Sequence, residues 1–168
     1  MKMGNRGDNM INSISKILVL APHTDDGEFG CGGSIARFIG EGKHVYYAAF
    51  STAEESVPDP WPKDILKTEV REATKRLGIG EDKLVIFNYE VRKLSYHRQE
   101  ILEDLVKIKN TICPDLVFLP SSSDVHQDHS TVSIEGIRAF KNTSILGYEI
   151  PWMFFARHFS RKLQIIFP

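Results

Sequence analysis

Five short apolar runs punctuate the chain, and each ends in a polar or glycine- or proline-containing break. The first, Lys16-Ile17-Leu18-Val19-Leu20-Ala21, has no polar residue after its opening lysine. That is the pattern of a strand buried on both faces, not of one with a wet side. His44–Ser51, Lys83–Asn88, Asp115–Pro120 and Ser144–Ile150 repeat it. Between these runs the spacing changes. Asp64–Leu77 carries Ile65, Leu66, Val70, Ala73 and Leu77 at helical intervals and ends at Gly78 and Gly80. A second helical stretch begins at Ser95 or His97, runs to about Thr111 with Ile101, Leu102, Leu105, Val106 and Ile108 inward, and stops before Pro114. Ser34–Ile39 reads as a helix stopped by Gly40 and Gly42, and Ser130–Phe140 as another. Strands alternating with helices predict βαβ units with right-handed crossovers. The fold class is therefore α/β: a three-layer α/β/α sandwich around a mostly parallel sheet of about five strands.

The remaining bulk properties narrow the function classes. A length of 168 residues suits one domain, with a loose lead-in over residues 1–15 and a patternless tail over residues 152–168. Such a chain buries a core without staples. Net charge is −1 with no basic patch, which argues against nucleic-acid binding through phosphate neutralisation. No stretch approaches the roughly 20 apolar residues of a membrane span. Nor does the polar start resemble a secretory signal. Cys31 and Cys113 make neither a disulfide framework nor a CxxC pair, so the expected compartment is the cytoplasm.

Chemistry concentrates after the first and fourth runs. Ligands of open α/β sheets sit outside the carboxyl ends of the strands. There the chain carries His23-Thr24-Asp25-Asp26 and Asp124-Val125-His126-Gln127-Asp128-His129. If strands one and four are neighbours, three histidines and four aspartates share one small volume. A divalent cation removes the repulsion among such carboxylates. A catalytic zinc site uses three protein ligands and leaves a position for water, whose pKa falls to about 7, within reach of a neighbouring carboxylate base. Plainer readings make His23 and Asp26 a loop histidine and a helix cap, and His126 and His129 a solvated helix start. Two histidines and a carboxylate also match the facial triad of non-haem iron oxygenases, which the α/β pattern disfavours. The Gly30-Cys31-Gly32-Gly33 run is read as close packing of helix on sheet, Cys31 as a packing residue and Cys113 as buried and inert. Trp61 and the prolines beside it either line a substrate loop or form an ordinary ordered one.

The string Ala21-Pro22-His23-Thr24-Asp25-Asp26-Gly27-Glu28-Phe29-Gly30-Cys31-Gly32-Gly33, followed downstream by Asp124–His129, resembles the PIG-L/LmbE family of zinc-dependent N-deacetylases. The resemblance runs from about Lys16 to Pro151. It implies a Rossmann-like sheet and a hydrolase that removes acetyl from an N-acetylated amino sugar such as N-acetylglucosamine or its conjugate, with water activated by the metal as nucleophile. By the same resemblance His23, Asp26 and His129 hold the metal, zinc first and iron as another candidate. Asp25 is the general base, His126 the electrophilic or general-acid histidine, and Asp128 the group that orients a neighbouring histidine. Glu69 matches a recurrent family glutamate. The implied partner is a small acetylated sugar or glycoconjugate, with no nucleic acid and no membrane span; a homo-oligomer is compatible. Thr24 stands where the family has proline, and Gly27 where it has glutamate, with Glu28 next door. The alternative is a non-catalytic or truncated Rossmann-like module that binds a sugar or nucleotide.

Overall fold

A computed structural model of the chain describes residues 13–150. Nearly all of the expected lead-in and the whole expected tail therefore lie outside the described residues. The elements run β1 (Lys16–His23), α1 (Asp26–Gly40), β2 (His44–Ser51), α2 (Ile65–Leu77), β3 (Leu84–Ile86), α3 (Arg98–Ile112), β4 (Leu116–Pro120), α4 (Gln127–Ala139) and β5 (Ser144–Tyr148). All strand pairs are parallel, in the order β3-β2-β1-β4-β5. The chain first winds outward from β1 through β2 to β3. It then crosses back over the sheet to β4, which lies on the other side of β1.

β1 shows why its sequence has no polar alternation. Ile17, Val19 and Ala21 enter one buried cluster with Cys31 and Ile35 of α1 and Val70 of α2. Leu18 and Leu20 enter the opposite cluster with Ile101 and Leu105 of α3 and Val132 of α4. Both faces are covered by helices, so every position of the strand is apolar. The register Ile17↔Leu116, Leu18↔Val117, Val19↔Phe118 makes β1 and β4 neighbours. The switch point of the sheet thus falls between the two strands whose ends carry the histidines and aspartates.

The boundaries differ from expectation in instructive places. α1 begins at Asp26, not at Ser34, and continues through the glycines with non-helical backbone at Cys31 (φ −145°, ψ 21°). Glycine is a poor helix former in isolation, so the run reads as a loop. Here tertiary packing overrides that propensity. A side chain at Gly27 would place its Cβ 2.6 Å from the ring of Tyr47, and one at Gly30 would enter the ring of Tyr148. Glycine stands at 27 and 30 because two tyrosines from the sheet occupy the space a Cβ would need. Gly32 and Gly33 meet nothing within 4 Å, so close packing accounts for Gly30 but not for the other two glycines of the run.

α4 likewise begins at Gln127, not at Ser130, which puts Asp128 and His129 in its first turn. β3 is a short edge strand, although Phe87 and Tyr89 continue to bond β2 through Ala49 O at 2.8 Å and Phe50 O at 3.0 Å. Val106, expected inward, is 40% exposed; Ile108 and Ile112 continue the buried stripe of α3 instead. Cys113, expected buried, is exposed at the end of α3 with positive φ (51°). Cys31 is buried, and that burial pushes its thiol up to about 12, which keeps it protonated.

Candidate metal centre

Two turns build the site. His23 is the last residue of β1, and Asp26 is the first helical residue of α1, one backbone turn away. Asp26 Oδ2 accepts the His23 backbone N–H at 2.8 Å, which folds the carboxylate back under the imidazole. His126 caps α4, with Nδ1 accepting the Asp128 N–H at 3.2 Å, and His129 stands one turn further on. Three donor atoms then converge. Asp26 Oδ2 lies 3.2 Å from His23 Nδ1 and 3.2 Å from His129 Nε2, and those two nitrogens are 3.3 Å apart. Tetrahedral coordination at 2.0–2.1 Å requires donor–donor edges of about 3.3–3.4 Å. The triangle therefore has the size of one face of a tetrahedral zinc site, and its donor set of two imidazoles and a carboxylate suits such an ion. One nitrogen from each of His23, His126 and His129 also lies within a 4.8 Å cluster, so His126 borders the same space.

Behind each of His23 and His129 stands a carboxylate. Asp128 Oδ2 is 3.0 Å from His23 Nε2, and Asp124 Oδ2 is 2.8 Å from His129 Nδ1. Each leaves the opposite nitrogen facing the triangle, the arrangement that fixes tautomer and ring orientation in metal-binding histidines. Asp128 is fully buried and also accepts the N–H groups of Arg92 at 2.6 Å and Leu94 at 3.3 Å. It thereby locks the segment after β3 onto the centre.

The charges follow from this packing. Burial alone would depress the His23 imidazole, but hydrogen bonds and attraction from Asp128 and Asp26 outweigh it and raise its pKa to about 9. Burial would raise Asp26, and the bonds from His129 and His23 reverse that, leaving it well below the usual carboxylate range. His129 is raised against its burial by Asp26 and Asp124. His126 moves the other way, lowered by burial and by the two neighbouring imidazoles. Asp25 sits at the solvent-facing edge, raised by partial burial of its carboxyl and by the charge of Asp26.

A pocket of about 360 Å³ opens above the triangle, lined by His23, Asp25, Asp26, His126 and His129 on one side and by Ala53, Ser56, Leu66, Val91 and Arg92 on the other. Five of the six expected residues line it, and the sixth, Asp128, supports it from below. Glu69 does not; it is exposed on α2 and lines an adjoining groove.

Sequence reasoning gave Asp124 no role, although the motif contains it, and did not single out Arg92 at all. Arg92 adopts positive φ (67°), a conformation that no sequence pattern announces for an arginine. One of the departures from the family pattern, Gly27 with Glu28 beside it, becomes intelligible as well. Tyr47 Oη accepts the Gly27 N–H at 3.2 Å and donates to the Glu28 carboxylate. With the tyrosine ring against Gly27, no side chain fits there, and the acidic residue stands one position later, where it meets the hydroxyl.

A parallel α/β sheet with imidazoles and carboxylates gathered at its switch point defines a class of protein whose chemistry sits at the strand ends. The model of the PIG-L family, described as GlcNAc-PI de-N-acetylase, matches residues 18–140, and the chain belongs to this family. An uncharacterized deacetylase of Escherichia coli K12, YaiS, is 30% identical over 154 residues, covering 86% of this chain and 80% of that protein. Among solved structures, the N,N′-diacetylchitobiose deacetylase of Pyrococcus horikoshii superposes with a TM-score of 0.70 at 29% identity over 78% of this chain. The conserved protein TT1542 of Thermus thermophilus superposes with a TM-score of 0.61 at 28% identity over 80% of the chain. The chain spans about half of the Pyrococcus protein (51%) and 60% of the Thermus one. Among the described residues no helix is long and apolar enough to cross a membrane.

Proposed function

We propose that the chain is a zinc-dependent N-deacetylase acting on an N-acetylated amino sugar or its conjugate. The observation that carries this reading is the triangle of His23 Nδ1, Asp26 Oδ2 and His129 Nε2, with edges of 3.2, 3.2 and 3.3 Å, beside the carboxylate of Asp25. These three residues would hold the ion, which when bound lowers the pKa of a water toward neutrality and polarises a carbonyl.

The chain's own groups divide the rest of the work. Asp25 accepts the proton of the attacking water; burial and the neighbouring Asp26 charge raise its pKa, which makes it a better base than an ordinary aspartate. The Nδ1 of His126 is occupied by the Asp128 N–H, so its neutral ring carries hydrogen on Nε2. That N–H donates to the oxygen of the tetrahedral species. Asp25 then returns its proton to the departing nitrogen, releasing acetate and the amine. Asp124 and Asp128 hold the two ligand rings in place.

The test is acetate release by zinc-loaded protein from a panel of N-acetylated sugars, run beside Asp25→Asn with the zinc content of both measured. Release by the wild type alone, at equal zinc, supports the proposal. No release from any sugar by zinc-loaded wild type, or an equally active Asp25→Asn, refutes it.

A further inference from the structure

Beyond the pocket over the triangle lies a second depression of about 300 Å³. The two share Ser56 and Leu66 in their walls, so they adjoin. The walls of the second are Val57, Pro58 and Trp61 from the β2–α2 connection and Ile65 from the first turn of α2. Glu69 supplies its one charged side chain. Trp61 is 59% exposed, a large ring left largely in water beside the pocket mouth.

The loop that presents this ring is built and fixed. Val57 is 5% exposed, and its carbonyl accepts Lys63 Nζ at 2.6 Å. Trp61 N–H donates to Pro58 O at 3.1 Å, and Ile65 N–H to Pro62 O at 3.0 Å. Each compartment alone is at the lower edge of the roughly 300–1,000 Å³ typical of ligand sites. Together they reach its middle, which is more room than one amino-sugar ring fills.

We propose that the Trp61 compartment is a subsite for an uncharged, hydrophobic aglycone attached directly to the amino sugar. The inference rests on the deacetylase reading above, which puts the acetamido group at the triangle. From there the shared wall of Ser56 and Leu66 leads the remainder of the substrate onto Val57, Trp61 and Ile65. The same lining argues against a nucleotide diphosphate or a phosphodiester at this point. The compartment's one charged lining residue is a carboxylate, which repels phosphate, and the Lys63 ammonium nearby is engaged by the Val57 carbonyl. An apolar group gains by covering the exposed indole and the isoleucine behind it. A free monosaccharide would leave the compartment wet.

The experiment compares N-acetylglucosamine with its hexyl glycosides of both anomers, below their micelle concentration, on the zinc-loaded full chain. Two quantities are read: kcat/KM for acetate release, and by calorimetry the Kd of the corresponding free-amine products. At least one hexyl glycoside is expected to exceed the free sugar by about tenfold or more in both, the effect of roughly two buried methylene groups. Trp61→Ala should abolish that advantage and leave kcat/KM on the free sugar unchanged. Equal values for free and alkylated sugars overturn the proposal, as does a Trp61→Ala variant that lowers both alike. So does a variant that shifts a dimer to a monomer in sedimentation and keeps the hexyl advantage, because the ring then serves a second copy of the chain. If no sugar yields acetate but the hexyl amine binds tenfold tighter through Trp61, the subsite stands and the deacetylase reading falls.

Discussion

The inner and outer halves of the pocket are made differently. The inner half is over-determined. Asp128 accepts from His23, Arg92 and Leu94, Asp124 holds His129, and Asp26 serves the rings of His23 and His129 and a backbone N–H. Moving any one of these groups strands a buried partner, at a cost of about 1–3 kcal/mol. The outer half is tied down more sparsely, by Lys63 on the Val57 carbonyl and Ser51 Oγ on the Ala53 N–H, and it presents Ala53, Leu66, Val91 and Trp61 alongside Ser56, Arg92 and Glu69 to whatever enters. Under the proposed function the contrast is a division of labour: the hydrogen-bonded turns would hold the reacting groups, and the largely apolar loop carried on the scaffold would select what is brought to them.

Substitutions should separate the halves. The largest effect is expected for Asp25→Asn, which should cut kcat by about 10²–10⁴-fold, the ordinary worth of a general base, at unchanged zinc content. A drop in bound zinc would instead place Asp25 among the ligands. Next, Asp124→Asn should weaken zinc binding by about 10–100-fold through loss of the partner of His129, measured by competition with a chelator. Unaltered affinity would mean that the 2.8 Å contact does not orient the ring.

Further from the chemistry, Gly27→Ala drives a methyl into the Tyr47 ring. It should cost about 1–3 kcal/mol as overpacking. At about 2–4 °C per kcal/mol for a protein of this size, the melting temperature should fall measurably. No change would mean that Tyr47 yields freely and does not explain the glycine.

The smallest effect belongs to Asp115, at the end of the sheet away from the pocket. Its Oδ2 accepts the N–H groups of Ser15 at 2.8 Å and Lys16 at 2.9 Å, which hold it below the usual aspartate value. A depressed carboxylate stabilises the fold above its unfolded pKa, near ~3.9, and loses that contribution as pH falls through the lower folded value. Asp115→Ala should therefore destabilise by less than about 1 kcal/mol at pH 7, since the group is solvent-screened. Melting curves of variant and wild type should converge in acid; a gap that persists there would show that packing, not charge, sets the difference.

How much of this was legible beforehand follows the same division. The buried strands were readable because a strand covered on both faces must be apolar throughout, as Ile17–Ala21 is. The turns that bring the histidines and aspartates together were readable because their residue types occur in few arrangements and fall at strand ends. The start of α1 was not, because glycines at 27 and 30 oppose a helix locally and are demanded only by Tyr47 and Tyr148, distant in sequence. Arg92 was hidden, and Trp61 was left between a substrate loop and an ordinary ordered one. Their positions depend on a left-handed backbone and on loop packing against α2, and neither leaves a periodic trace. Val106 and Cys113 failed differently: apolar character alone does not say which side of a helix end faces water.

The account stands or falls on the triangle of His23, Asp26 and His129. The most direct measurement is a calorimetric zinc titration of metal-stripped protein, wild type beside His129→Ala. One zinc per chain bound tightly by the wild type and lost in the variant is the predicted result. A wild type that binds no zinc, or a variant that binds it equally well, would contradict the account.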